Sequence, residues 1–181
     1  RAYRQRLREQ WGIVDVEDTC QAARALVEQG AVDPQCLFIR GSSAGGFTAL
    51  SALAATALFR GGASLYGVSD PLALRRVTHK CEGDYLDWLI GDPQQVPERF
   101  RERAPLHNAD RIGASVIFLQ GGQDAVVLPE QTESMVAALM SSGGGWLPLF
   151  TRPMSLCFLV LAGLLLLWSL RQRRTISPNS E

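Results

Sequence analysis

Short apolar runs alternate with helix-like apolar periods through the first 140 residues of the chain. Apolar residues recur at helical spacing over residues 14–29, and Gly30 stands where a helix C′ residue belongs. The apolar run 36–39 predicts a parallel strand buried on both faces. The alanine-rich stretch 44–58 predicts a helix packed closely on a sheet.

The second half of this region repeats the pattern after an irregular excursion. Residues 63–67 and 116–119 predict two further strands, and residues 129–140 predict an amphipathic helix with proline in its first turn. Residues 70–111 contain several prolines and only weak helical periods. Strand, helix, strand, excursion, strand and helix in this order are typical of a parallel sheet, so we expect an α/β fold.

The pattern changes completely after residue 140. Residues 141–147 predict a flexible glycine and serine linker. Residues 148–170 predict a single transmembrane helix, and about ten Leu, Phe and Val residues contribute roughly −3 to −6 kcal/mol to insertion. A buried core helix is the alternative, but this segment has no polar face. Residues 171–181 form a polar tail with three arginines, so we expect a single-pass membrane protein that contacts lipid.

Composition narrows the remaining choices. The chain has 18 basic and 18 acidic residues, so no charge argument predicts a nucleic-acid partner. Its four cysteines form no C-x-x-C pair and have no metal-ligand spacing, and they predict small buried thiols rather than disulfides. We therefore expect neither a metal nor a cofactor. The four are Cys20, Cys36, Cys81 and Cys157.

The segment Gly41-Ser42-Ser43-Ala44-Gly45 matches the pattern G-x-S-x-G between a predicted strand and a predicted helix. In that context the serine lies on a strained turn that exposes its hydroxyl. We expect Ser43 to be a nucleophile, and the backbone N–H of Ala44 to face a developing oxyanion. Gly41 and Gly45 are expected to lack side chains so that neighbouring backbone can pass. The alternative is a glycine-rich turn with no chemistry.

A candidate acid follows the last predicted strand. Asp124 ends the segment Gln120-Gly121-Gly122-Gln123-Asp124, directly after the apolar run 116–119. An aspartate in this position is more often a turn residue or a helix cap than a catalytic group.

Three segments together resemble the catalytic domain of the prolyl oligopeptidase family, on its acylaminoacyl-peptidase and dipeptidyl-peptidase side. They are residues 11–18, 32–46 and 118–127. The resemblance covers residues 1–140 and implies a partial α/β-hydrolase fold and a peptide substrate. It also implies that Ser43 is the nucleophile, Asp124 the acid and the Ala44 N–H an oxyanion donor. By the same resemblance, the family's oxyanion loop and β-propeller would lie upstream of Arg1, so we expect a truncated domain.

The triad implied by this resemblance is incomplete. Members of the family carry serine, aspartate and histidine in that order, whereas no histidine follows His107 here. The two histidines, His79 and His107, both precede Asp124, and we expect each to lie at the surface or at a helix end. The chain alone is therefore expected to be inactive. The alternative is a membrane-anchored pseudohydrolase or a fusion product with a binding role only.

The tail carries a second, short resemblance. Residues 146–175 are similar to the C-terminal end of the large membrane subunit of tripartite tricarboxylate transporters. This similarity is short and leucine-rich, and one helix cannot form a transport path. It implies that a peptidase segment is joined to an unrelated membrane tail.

Overall fold

Three parallel strands form the centre of the computed structural model, which describes residues 2–78 and 80–142. They are β1 (Phe38–Ser42), β2 (Gly61–Leu65) and β3 (Ser115–Leu119), in the order β1-β2-β3. Ser42, Leu65 and Leu119 are partners in register, so the carboxyl ends of all three strands lie at one edge of the sheet. The predicted parallel α/β class is confirmed.

The first strand begins later than the sequence pattern predicts. Pro34–Cys36 forms a 3-10 turn, because the Asp33 carboxylate accepts a hydrogen bond of 2.8 Å from the Gln35 N–H and proline fits the first position of the turn. Cys36 and Leu37 therefore precede the strand, which runs from Phe38 to Ser42 instead.

Helices connect and cover these strands. The helices predicted over residues 14–29, 44–58 and 129–140 are present with slightly different ends. The excursion predicted as irregular contains three helices, two of which begin at a proline, and Asp70 caps the first of them. The helices of the described residues are α1 (Ala2–Gln5), α2 (Val14–Glu28), α3 (Ala44–Ala55), α4 (Pro71–Val77), α5 (Lys80–Ile90), α6 (Pro97–Arg103) and α7 (Pro129–Ser141). A 3-10 helix also covers Pro105–Arg111.

The core lies on one face of the sheet. Ile39 and Val116 project from this face into the buried cluster that contains Leu53 of α3. Phe118 projects from the same face onto Leu50 and Met135, which belong to α3 and α7. This packing holds α3, the helix that follows the G-x-S-x-G segment, directly against the strands.

The opposite face of the sheet is open within the described residues. Phe38, Ile117 and Leu119 are 71%, 64% and 55% exposed. The prediction that the strand at residues 36–39 is buried on both faces is therefore wrong for this part of the chain. Helices of the described residues cover one face only, although parallel sheets are almost always covered on both.

The cysteine prediction holds for one of the two thiols whose surroundings are described. Cys20 is buried in α2, and burial raises the pKa of its thiol. Cys36 is exposed, because the turn that replaces the predicted strand start carries it to the surface. Both are free thiols.

The predictions for the tail fall almost entirely outside the described residues. The chain divides into two units, residues 1–143 and 144–181. Ser141 is the last residue of α7. The rest of the predicted linker beyond residue 142, the predicted membrane helix 148–170 and the predicted tail 171–181 lie beyond the described part. Within residues 2–78 and 80–142, no helix has the length and apolar character needed to cross a bilayer.

Candidate active site

Ser43 occupies a sharp turn between β1 and α3. Its backbone angles are φ 52° and ψ −122°, a conformation that non-glycine residues rarely adopt. Its N–H donates to the Leu65 carbonyl at 3.0 Å, and its carbonyl accepts from the Phe47 N–H at 3.1 Å. The turn is thus tied to the end of β2 on one side and to the first turn of α3 on the other.

Close backbone packing explains two glycines of this turn. A Cβ on Gly41 would overlap the carbonyl group of Gly45. A Cβ on Gly46 would lie 2.6 Å from the Cα of Gly67, in the loop that follows β2. By contrast, a Cβ on Gly45 would meet no atom within 4 Å. The expectation that Gly45 must lack a side chain is wrong, and the adjacent Gly46 has the steric requirement instead.

Ser43 is the residue directly before the first turn of α3. Ala44 is the first residue of the helix, and N–H groups in a first helical turn have no acceptor within the helix. The Ser43 side chain makes no capping bond to these groups. The positive end of α3 is therefore available to an anionic group bound beside Ser43.

Asp124 shapes the segment of residues 120–128, which we name the acid loop. Its Oδ1 accepts hydrogen bonds from the N–H groups of Val126 and Val127, at 2.9 and 3.0 Å. Within the described part of the chain, its Oδ2 has no hydrogen-bond partner. One carboxylate oxygen of Asp124 therefore stabilises the turn, and the other is available to a hydrogen-bond donor.

The register of the sheet relates Ser43 to the acid loop. Both follow the carboxyl ends of strands that are paired in register through β2. The strand ends Ser42 and Leu119 are two interstrand spacings apart, about 10 Å. Both predicted residues therefore follow strands that end at the same edge of the sheet.

An apolar cleft of about 320 Å³ opens beside Ser43. Ala44 forms part of its wall together with Val126 and Val127 of the acid loop. Apolar and aromatic side chains from distant segments supply most of the rest. These residues are Leu7, Trp11, Val68, Leu74, Tyr85, Leu86 and Leu89, with Thr78 at the same wall.

Sequence reasoning did not identify these cleft residues individually. Trp11 lies in the family-like segment 11–18, and its indole packs on Phe47 of α3 with ring centroids 4.1 Å apart. Tyr85 and Leu89 belong to α5, inside the region that was predicted to be irregular. The helical spacing of residues 85, 86 and 89 was the signal available in the sequence.

The segment that carries Trp11 is held by several polar contacts. Arg103 of α6 donates to the carbonyls of Glu9 and Trp11, at 3.0 and 3.1 Å. The Asp15 carboxylate accepts from the Gly12 N–H at 2.6 Å and from the Thr48 hydroxyl of α3 at 2.5 Å. The cleft wall formed by Trp11 is therefore fixed to the helix that follows Ser43.

Glu9 adds an ion pair to this segment. Its carboxylate accepts a hydrogen bond of 2.8 Å from Arg99. This bond holds the pKa of Glu9 below its ordinary value. Both side chains are substantially exposed, so the pair contributes little to stability on its own.

His107 is one of the two histidines of the chain, and the structure places it at the surface. It lies in the 3-10 helix Pro105–Arg111, is exposed, and is not among the residues that line the cleft. The expectation of a surface position for His107 is confirmed. His79 lies outside the described residues.

These features define an α/β-hydrolase fold. They are a parallel sheet with flanking helices, a strained serine turn between strand and helix, and an aspartate loop at the same sheet edge. The sequence model of the prolyl oligopeptidase family matches residues 1–154, and the chain belongs to this family. The match extends past residue 140, where the sequence pattern ended the domain.

Solved structures agree with this assignment. A puromycin-hydrolyzing peptidase from Mycobacterium tuberculosis is 47% identical with a TM-score of 0.76, over 78% of this chain and 22% of that one. A crystal structure of a puromycin hydrolase variant complexed with PGG is 46% identical with a TM-score of 0.75, over the same shares. The Pyrococcus horikoshii acylaminoacyl peptidase, 24% identical over 77% of this chain and 23% of that one, shares the fold with a TM-score of 0.69.

The chain spans about a fifth of the length of these solved structures. No curated protein matches it.

Proposed function

We propose that this chain carries the nucleophile and the acid of a serine peptidase of the prolyl oligopeptidase type. Ser43 attacks a carbonyl carbon, the Ala44 N–H stabilises the oxyanion, and Asp124 orients a base. The observation that carries this proposal is the strained turn at Ser43, at φ 52°, beside an apolar cleft. Backbone strain of this kind persists where the surrounding packing enforces it, and it is frequent at catalytic residues.

The cleft suggests the kind of substrate. Its wall combines Trp11 and Tyr85 with aliphatic side chains, and its volume of about 320 Å³ accommodates an aromatic ring. The similar structures at 46–47% identity are described as puromycin-hydrolyzing enzymes. We therefore propose an amide bond adjacent to a large apolar or aromatic side chain as the bond that this site addresses.

The chain of 181 residues does not hydrolyse peptides by itself in this proposal. A serine hydroxyl is a weak nucleophile without a base. No histidine follows Asp124, and His107 is exposed and does not line the cleft. Loss of the triad histidine alone lowers kcat of a serine protease about a million-fold. The residues described here would then bind substrate and present Ser43, while turnover needs an imidazole from elsewhere.

A serine-directed fluorophosphonate probe tests the assignment of Ser43. We expect slow labelling of the full chain at Ser43 and none in the Ser43→Ala variant. Equal labelling of the variant would disprove the nucleophile, and labelling as fast as in an intact serine hydrolase would disprove the inactivity.

Competition during the same labelling tests the cleft. Puromycin should slow labelling of Ser43, whereas puromycin aminonucleoside, which lacks the aromatic amino acid, should not. Equal effects of the two compounds would argue against an aromatic side chain in this cleft.

A membrane-anchored protein that binds without hydrolysis is the second candidate. Its support is the uncharged stretch 155–170, followed by arginines, in the same chain as an incomplete triad. In this reading residues 148–170 cross the bilayer and lipid is a partner. We expect the full chain to resist alkaline extraction from membranes. Deletion of residues 148–181 should abolish this resistance. Release of the full chain by alkali would refute the anchor.

A further inference from the structure

We propose that Gln120 and Thr132 are positioning residues that hold the carboxylate of Asp124 through the backbone of the acid loop. The inference rests on the proposed role of Asp124 as the acid of the site. Neither residue lines the cleft beside Ser43, so each acts on the chemistry only through the loop.

Gln120 contacts the far end of the acid loop. Gln120 directly follows β3, and its Nε2 donates to the carbonyl of Val127 at 3.0 Å. The side chain therefore closes the loop between its first residue and the residue seven positions later. Val127 is 3% exposed, so its carbonyl needs this donor within the protein.

Thr132 contacts the oxygen end of the Gln120 side-chain amide. The Thr132 hydroxyl, on the first turns of α7, donates to the Gln120 Oε1 at 2.9 Å. An amide group can turn over and exchange its oxygen with its nitrogen. Because the Val127 carbonyl can only accept, the nitrogen faces it, and the Thr132 hydroxyl holds the oxygen end of the amide in that orientation.

Val127 in turn contacts the Asp124 carboxylate. The Val127 N–H donates to the Asp124 Oδ1, and the Val126 N–H donates to the same oxygen. A chain of hydrogen bonds thus runs from Thr132 through Gln120 and Val127 to Asp124. Without it, the first part of the loop would depend on the bond from the Asp124 N–H to the Gly121 carbonyl, at 3.2 Å, and on two glycines whose backbone has wide conformational freedom.

A separate contact holds α7 in place, independently of Gln120. Gln131 is 7% exposed, and its Oε1 accepts from the N–H groups of Ser69 and Asp70, both at 2.8 Å. This contact fixes α7 to the loop after β2. It holds the helix in place without touching the acid loop carboxylate, so removal of Thr132's hydroxyl should loosen the loop while α7 remains packed.

Amide hydrogen exchange of the full chain, followed residue by residue by NMR, tests this proposal. Thr132→Val removes the hydroxyl and keeps the shape of the side chain, and Thr132→Ser restores the donor. We expect Thr132→Val to speed exchange at Val126 and Val127 by about three- to tenfold, the effect of one net hydrogen bond. Thr132→Ser should exchange like the wild type, and amides of β3 should be unchanged in both variants.

A second variant covers the case in which Thr132→Val does not fold. Gln120→Glu keeps the length of the side chain and accepts from Thr132, but a carboxylate cannot donate to Val127. It should give the same local increase in exchange. Unchanged exchange at Val126 and Val127, or an equal increase in β3, would refute the positioning role. Because exchange needs no turnover, this result is independent of whether Ser43 is labelled by the fluorophosphonate.

Discussion

The two glycines of the G-x-S-x-G segment should respond in opposite directions to the same added methyl group. In Gly41→Ala, the new Cβ would overlap the carbonyl of Gly45. The obstacle is backbone of the first turn of α3, so it cannot rotate away as a side chain would. In Gly45→Ala, the Cβ would project into open space.

The structure sets the expected sizes of these effects. Overpacking costs about 1–3 kcal/mol, and a clash with backbone belongs near the upper end, about 3 kcal/mol. A chain of this length loses about 2–4 °C in melting temperature per kcal/mol. Gly41→Ala should therefore lower Tm by about 6–12 °C. Gly45→Ala should stabilise α3 by about 0.5–1 kcal/mol, because alanine restricts the unfolded chain and favours helix.

Thermal unfolding of the full chain, followed by circular dichroism, measures both variants against the wild type. Fluorophosphonate labelling provides a second readout, since displaced backbone in Gly41→Ala moves Ser43 whereas Gly45→Ala leaves it in place. A Tm of Gly41→Ala within about 2 °C of the wild type (roughly one kcal/mol or less) would refute the steric argument. So would a Tm of Gly45→Ala that falls as far as that of Gly41→Ala.

Two further predictions concern strain and acid stability. Ser43→Gly should have a higher midpoint of urea unfolding than Ser43→Ala. Glycine relieves the strain of a φ of 52°, which costs other residues about 1–3 kcal/mol. Equal midpoints of the two variants would contradict the presence of strain. For Glu9, whose pKa Arg99 lowers, the ion pair stabilises the fold above about pH 4.3 and is lost as pH falls through the lowered value. Any advantage of the wild type over Glu9→Gln in urea unfolding at about pH 7 should therefore shrink as the pH falls below about 4.3 and disappear once Glu9 is protonated. An advantage that does not change across this range would contradict the linkage.

Local pattern was sufficient to predict much of the fold and the turn at Ser43 between a strand and a helix. The helix of residues 14–28 and the turn around Ser43 follow from residues within a few positions of each other. Gly41 belongs to the same group, because the backbone it must accommodate lies only four residues further along the chain. Interactions of this range depend on the sequence of one segment alone.

The local sequence pattern could not predict contacts between distant segments of the chain. The glycine requirement of Gly46 comes from the Cα of Gly67, which the sheet order brings beside it. The expectation that Gly45 has this requirement failed for the same reason, since spacing in a motif does not show which backbone passes nearby.

The amino-acid sequence by itself determined the alternation of strands and helices and the family, and it singles out Ser43 and Asp124 as the predicted nucleophile and acid. Only the tertiary structure decided which side chains surround them. Trp11, Tyr85 and Val127 meet in one cleft because three parallel strands end at the same sheet edge and α5 packs beside it. It also decided that the face bearing Ile117 stays open in the described residues, since burial depends on which layers cover a strand and not on the strand's own residues.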